Sequence, residues 1–260
     1  MDMEIEGMTA LVTGGSRGIG YAIAHRLARE GCNVHLASRS AADLEAARSR
    51  ITSEFKVKVT CHAHDLGDSA NVARLADDCG ELDILINNAG AIPQGDLLAI
   101  DEARWRAAWE LKVFGYINLT RHIYRGMRER RRGAIVNVIG SAGERPTANY
   151  IAGTTGNASL MAFSRALGGE SVDHGVRVVG LNPGTIETDR QRSRLEERAQ
   201  TQLGDRNRWR ELVKNAPMGR LGKPEEIADM VVFLASPRAS YVSGTMVTVD
   251  GGRASRNPAT

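Results

Sequence analysis

The stretch TGGSRGIG at residues 13–20 sets glycines at positions 14, 18 and 20 between an apolar run and an amphipathic one. A chain that must hold a pyrophosphate needs this composition. Gly14 permits a tight turn out of a strand, Gly18 lets the backbone approach a phosphate, and Gly20 lets the following helix pack closely on the strand. The start of that helix adds unpaired N–H groups and a partial positive charge. Gly14, Ser16, Arg17, Gly18, Ile19 and Gly20 are therefore candidate cofactor contacts. The second apolar run ends LASRS, with Ser38 and Arg39 where an NAD(H) site carries an acid for the ribose 2′-hydroxyl. A carboxylate there repels a 2′-phosphate, whereas a guanidinium pairs with it bidentately. With Arg17 inside the loop as well, the expected cofactor is NADP(H) in preference to NAD(H).

Such a loop must be held between a strand and a helix, and the chain supplies both repeatedly. Apolar runs of strand length lie at 8–13, 33–38, 58–63, 83–87, 134–139, 176–181 and 245–250. Amphipathic stretches at 18–30, 41–54, 69–79, 101–129, 150–172 and 224–235 alternate with them. Near-continuous Val, Ile and Leu in the strands fits a parallel sheet covered on both faces. The expectation is one α/β domain over residues 1–260, a doubly wound Rossmann fold with about seven strands. Residues 185–216, rich in Arg, Glu and Gln, break the alternation and read as an irregular, substrate-covering insertion. A formal charge of +3, with basic and acidic residues interspersed, gives no sign of nucleic-acid binding. Cys32, Cys61 and Cys79 show no metal-ligand spacing, so no metal site is expected and a reduced, cytoplasmic setting is. Neither a signal peptide nor a membrane span is expected from the apolar runs.

Together with NNAG at 87–90, NPGTIET at 182–188 and SYVSGTMVTVDGG at 240–252, these motifs fall in an order and spacing that resembles the short-chain dehydrogenase/reductase family. The resemblance covers essentially the whole chain. It implies Asp65 and Leu66 at the adenine, and Asn87, Ala89 and Gly90 along the cofactor. It further implies Pro183, Gly184, Ile186 and Thr188 around the nicotinamide carboxamide. A homotetramer or homodimer, paired through the helices at 101–129 and 150–172, is also implied, as is hydride transfer between nicotinamide and a carbonyl/alcohol pair.

The resemblance fails at the usual catalytic positions. Family members carry a Ser three residues after a strand Asn, a Tyr thirteen beyond it and a Lys four after that. Counted from Asn137, these positions fall on Gly140, Gly153 and Asn157. A further family Asn, seven residues after a Trp in the preceding helix, falls on Lys112. The register rests on Gly143 and on the Asn137-to-Phe163 spacing, which match without a gap. Keeping Tyr150 as the family Tyr requires a three-residue insertion in the helix, which rotates everything beyond it by about 60°.

Neighbouring residues offer a replacement set. Tyr150 stands nearly one turn before the usual Tyr and Ser141 stands one residue past the usual Ser. A phenol with a pKa of about 10 needs help to exchange protons at neutral pH, and a nearby cation typically lowers such a pKa by about 1–3 units. The reading is Tyr150 as proton donor, Lys112 as the charge, Ser141 or a backbone N–H at the oxyanion, and Asn157 at the ribose hydroxyls. The plain reading of the same residues is structural: a loop staple, an ion-paired lysine and a loop hydroxyl. Two alternatives stand beside the carbonyl reductase. One is a dinucleotide-binding sensor or structural subunit without turnover. The other is an enoyl-type C=C reductase, whose Tyr–Lys spacing resembles the seven positions from Tyr150 to Asn157. Arg190, Arg192, Arg194 and Arg198 fit a small anionic substrate, while Glu196, Glu197 and Glu211 among them fit surface ion pairs.

Overall fold

Successive residues of the central strands are buried on opposite sides, which is the signature of a sheet with helices on both faces. Ala10 and Val12 enter one core cluster and Leu11 the other. Ile84, Ile86, Val136 and Val138 divide from Leu85 and Ile135 in the same way. The computed structural model describes residues 2–256. Its strands are β1 (Thr9–Thr13), β2 (Asn33–Ser38), β3 (Val59–Ala63), β4 (Ile84–Asn87), β5 (Gly133–Val138), β6 (Val176–Pro183) and β7 (Met246–Val249). They form one seven-stranded sheet in the order β3-β2-β1-β4-β5-β6-β7, with every pair parallel. The chain runs outward from β1 to β3, then returns and runs the other way from β4. A crevice therefore opens at the carboxyl ends of β1 and β4, where doubly wound sheets take their ligands.

The helices are α1 (Gly18–Arg29), α2 (Ala41–Glu54), α3 (Ser69–Cys79), α4 (Glu102–Trp109), α5 (Gly115–Arg130), α6 (Ile151–Glu170), α7 (Asp189–Leu203) and α8 (Pro224–Ala235). α1, α2 and α8 cover one face of the sheet, and α3 and α5 the other. Arg177 of β6 fastens α8 in place by donating to the carbonyls of Leu234 at 2.8 Å and Ser236 at 2.9 Å. These belong to the end of a helix, where carbonyls lack intrahelical partners and a cation is favoured.

Two elements differ from the sequence expectation. The helix expected over 101–129 is broken by a π turn at Glu110–Phe114, which separates α4 from α5 and carries Lys112. Turns of this kind leave no trace in hydrophobic periodicity and recur at functional sites. The supposedly irregular 185–216 is largely helical. α7 starts where the Thr188 hydroxyl accepts from Gln191 N at 3.2 Å and stops at Gly204, with φ 75°. A 3₁₀ segment, Arg206–Val213, folds back on α7, and Leu195, Ala199, Trp209 and Leu221 form a small core of their own. The charged surface of α7 masked this narrow apolar stripe. Among the described residues, no helix is long and apolar enough to cross a membrane.

Candidate active site

The glycine loop is anchored from β4. The Thr13 hydroxyl accepts from Asn88 N at 2.9 Å and Ala89 N at 3.0 Å, and Asn88 Nδ2 donates to the Thr13 carbonyl at 2.9 Å. Gly14 and Gly18 have φ of 65° and 57°, and any side chain at Gly20 meets the Gly14 carbonyl oxygen. The loop opens on a cleft of about 1030 Å³. Gly14, Ser16, Arg17, Gly18, Ile19, Gly20, Ser38, Arg39, Leu66, Ala89, Gly90 and Thr188 line it.

Two expected cofactor residues take other places. The Asn87 side chain is buried within the sheet, donating to Asn137 Oδ1 at 2.8 Å and Thr120 Oγ1 at 3.0 Å, so it braces β4 against β5 and α5. Asp65 is exposed and accepts from Gly67 N at 3.0 Å, while its neighbours His64 and Leu66 face the cleft. Asn88, His64 and Ala91 are lining residues that the motif reading missed.

The residues of the cleft fit an adenosine 2′-phosphate. Ser38 Oγ is buried and has no hydrogen-bond partner among the described residues, an arrangement that costs free energy unless a ligand completes it. Arg17 and Arg39 line the same cleft, with Asp43 and Asp189 as its carboxylates. Charge-assisted hydrogen bonds contribute about 1.5–3 kcal/mol each. Arg39→Ala is thus expected to weaken NADPH binding by about 10–100-fold while leaving NADH unchanged, as read by fluorescence titration of both. Equal losses for the two nucleotides would show that Arg39 does not meet the 2′-phosphate.

A second cavity of about 670 Å³ shares Ile19, Gly90, Thr188 and Arg190 with the cleft. Lys112, Ser141, Tyr150 and Asn157 all line it, as do Pro183, Gly184 and Ile186. The local structure at Gly140 and Gly153 disfavours a side chain at either position. Gly140 has φ 133°, a region that disfavours a Ser. At Gly153 an added Cβ would fall inside the ring of Tyr150, so the phenol fills the space that a side chain at 153 would need. Tyr150 precedes α6 and packs beside Trp105 against Ile92, Ile100, Ala108 and Ala152, which fixes the ring. Asn157 donates from Nδ2 to the Gly140 carbonyl at 3.4 Å, and its buried Oδ1 has no partner among the described residues. That lone acceptor suits a ribose hydroxyl.

Lys112 reaches over Gly90 from the π turn and donates to the Ile139 carbonyl at 2.6 Å. Burial, and then Arg190, push its pKa down to about 8, so at neutral pH it is still mostly charged. Burial raises the Tyr150 phenol above its ordinary value, and Arg190 and Arg194 pull it partly back. The cations acting on the phenol thus come from α7.

Arg145, Arg190, Arg194 and Arg253 face this cavity, and no carboxylate does among the described residues that line it. Arg253 donates to Thr185 Oγ1 at 2.6 Å and Arg145 to the Arg253 carbonyl at 3.1 Å, neutral partners that leave both charges unbalanced. Of the four arginines flagged in the sequence, Arg190 and Arg194 turn inward. Arg192 pairs with Glu187 at 2.9 Å, and Arg198 borders an adjoining cavity of about 690 Å³ that shares Arg145, Thr185 and Arg253 with this one. Arg145 and Arg253 lay outside the flagged segment, and only tertiary folding brings them in.

A doubly wound parallel sheet, a glycine loop after its first strand and protic side chains around an adjoining cavity define a Rossmann-type nicotinamide oxidoreductase. A family model described as enoyl-(acyl carrier protein) reductase matches residues 14–254. The chain belongs to the short-chain dehydrogenase/reductase family. It is 35% identical over 253 residues to a 3-oxoacyl-(acyl-carrier-protein) reductase of Vibrio cholerae, covering 96% of this chain and 98% of that one. It is 33% identical over 251 residues to 2-keto-3-deoxy-L-fuconate dehydrogenase of Xanthomonas campestris, covering 95% and 80%. L-Sorbose reductase from Gluconobacter frateurii, solved with NADPH and L-sorbose, matches with a TM-score of 0.93 at 33% identity over 99% of this chain and 100% of that one.

Proposed function

We propose that the protein is an NADP(H)-dependent reductase of a small anionic carbonyl compound, with Tyr150 as its proton donor. The observation that carries the reading is the placement of the Tyr150 ring over Gly153, on the wall of a cavity continuous with the cofactor cleft. NADPH supplies the hydride when bound, and Ser38, Arg17 and Arg39 would hold its 2′-phosphate. The NADPH in the sorbose reductase complex supports that choice of nucleotide. Asn157 would hold the nicotinamide ribose through its free Oδ1.

The substrate's carbonyl oxygen gains negative charge as hydride arrives, and the Tyr150 hydroxyl delivers a proton to it. A phenol whose pKa is raised by burial stays protonated through neutral pH, which suits a donor for reduction better than a base for oxidation. Ser141 donates a hydrogen bond to the same oxygen, and the Lys112 ammonium stabilises the charge. Arg145, Arg190, Arg194 and Arg253 hold a carboxylate or phosphate on the substrate and exclude neutral analogues. The 2-keto-3-deoxy-L-fuconate dehydrogenase among the relatives is named for an acid substrate, in keeping with this. Assembly into a dimer or tetramer through α4, α5 and α6 would cover Phe114, 44% exposed on the π turn.

The test is an NADPH titration followed by a panel of 2-oxo acids, sugar-phosphate ketones, their neutral counterparts and conjugated enones. NADPH oxidation is expected with anionic ketones at a kcat/KM at least tenfold above that of the neutral ones. Oxidation confined to the enones would move the reaction to a C=C bond, the reading that the seven-residue Tyr150-to-Asn157 spacing favours. Tight binding with no oxidation anywhere would make the protein a nucleotide sensor.

A further inference from the structure

His35 and His62 lie on adjacent strands and face the same side of the sheet. β2 and β3 pair with Ala37 opposite His62, so His35, two residues before Ala37, shares that face. It is the face packed by α3, whose last residue is Cys79. His35 Nδ1 lies 2.8 Å from His62 Nε2, and Cys79 Sγ lies 3.7 Å from the same nitrogen. The three donor atoms are all within 4.8 Å of one another, and His62 and Cys79 are each only 7% exposed. Just outside, His64 Nε2 stands 3.3 Å from Asp78 Oδ2, and these two form an overlapping group with His62.

A hydrogen-bonded histidine pair does not account for this convergence. A neutral imidazole nitrogen offers either one proton or one lone pair, so His62 Nε2 cannot satisfy His35 and Cys79 fully at once. A metal ion would use all three lone pairs together. Two imidazoles and a thiolate select a borderline-soft cation, whereas Mg²⁺ and Ca²⁺ require oxygen donors. Around a tetrahedral Zn²⁺, donor atoms sit about 3.3–3.8 Å apart. Cys79 and His62 already meet that spacing, and the histidine pair needs to open by about half an ångström.

We propose that His35, His62 and Cys79 form a binding site for a divalent cation of the Zn²⁺ class, with Asp78 or a water in the fourth position. On binding, the Cys79 S–H bond breaks, its proton leaves to solvent and a Zn–S bond forms. The imidazoles bind as neutral tautomers protonated at their other nitrogens. The ligands come from β2, β3 and α3, so the metal would pin the sheet's edge strand to its covering helix. Sequence spacing hides the site because no two ligands belong to one short motif. His64 also lines the cofactor cleft, but Tyr150 and Lys112 stand on the other cavity, so the role is structural.

The test uses the full chain without a histidine tag, stripped with a chelator and saturated with NADP⁺, which leaves the near ultraviolet clear. Titration with Co²⁺ is expected to give one equivalent per chain, a near-ultraviolet thiolate-to-cobalt band that Zn²⁺ abolishes, and a thermal midpoint raised by Zn²⁺. Cys79→Ser should lose the band, and His62→Gln should weaken Zn²⁺ binding at least tenfold, both with NADPH affinity unchanged. Should His62→Gln fail to fold, the nearly isosteric Cys79→Ser still reports the sulfur ligand. Absence of the band in the unaltered protein, its survival in Cys79→Ser, or equal Zn²⁺ content in the unaltered protein and Cys79→Ser would overturn the site.

Discussion

Replacing Tyr150 with Phe is expected to lower kcat for carbonyl reduction by about 10²–10⁴-fold, the usual worth of a positioned general acid, with NADPH affinity unchanged. The substitution removes one oxygen and leaves the ring that packs against Ile92, Ile100 and Ala152. Stability should therefore change little, and a lost rate can be assigned to the proton. The pH dependence gives a second signature. Burial raises the phenol's pKa and Arg190 and Arg194 oppose it, leaving it above the ordinary value. The donor is thus fully protonated at neutral pH. Reduction should decline once as Lys112 loses its charge through about pH 8 and again, on a higher alkaline limb, as pH rises through the phenol's raised pKa. Tyr150→Phe should abolish that higher limb along with the rate. An unchanged kcat would take Tyr150 out of the mechanism and leave Lys112, whose pKa of about 8 also spans the working range, as the proton source to examine next.

Elements held by strong periodicity were legible from the residues alone. All seven strands lie within a residue or two of the expected ranges because Val- and Ile-rich runs between glycine loops and capped helices have few other solutions. The glycine loop was legible for a related reason, since backbone conformation at Gly14 and Gly18 demands those residues. α7 was not, because a helix whose outer surface is Arg, Glu and Gln shows only Leu195, Ala199 and Leu203 as its apolar stripe. Side-chain direction was equally hidden. Asn87 and Asp65 sit in family-like motifs, yet one side chain turns into the sheet and the other caps its own turn. The arginines of the second cavity come from three separate segments, at 145, at 190 and 194, and at 253. No local pattern joins them, so the charge of the cavity is a property of the fold rather than of any motif.

The displaced tyrosine makes a prediction about a residue with no chemistry of its own. Gly153→Ala is expected to cost carbonyl reduction about 10²-fold or more, approaching the effect of losing the phenol. In an ordinary helix interior the same change stabilises by about 0.5–1 kcal/mol. Here the new methyl would fall inside the Tyr150 ring, and the backbone cannot yield because Thr154 N donates to the Tyr150 carbonyl at 2.8 Å in the first turn of α6. The ring must swing out and carry the hydroxyl away from the cavity. A double-mutant cycle separates this from a general disturbance. If Gly153 acts only by leaving room for the ring, Gly153→Ala adds little to a chain that already carries Tyr150→Phe, because the proton is lost either way. Full multiplication of the two losses would mean that Gly153 serves the cofactor or the substrate directly. Retention of activity in the single variant would mean that the ring's position over residue 153 is irrelevant to turnover. Glycine at the family's tyrosine position is on this account the condition that lets a tyrosine one turn earlier occupy the same space.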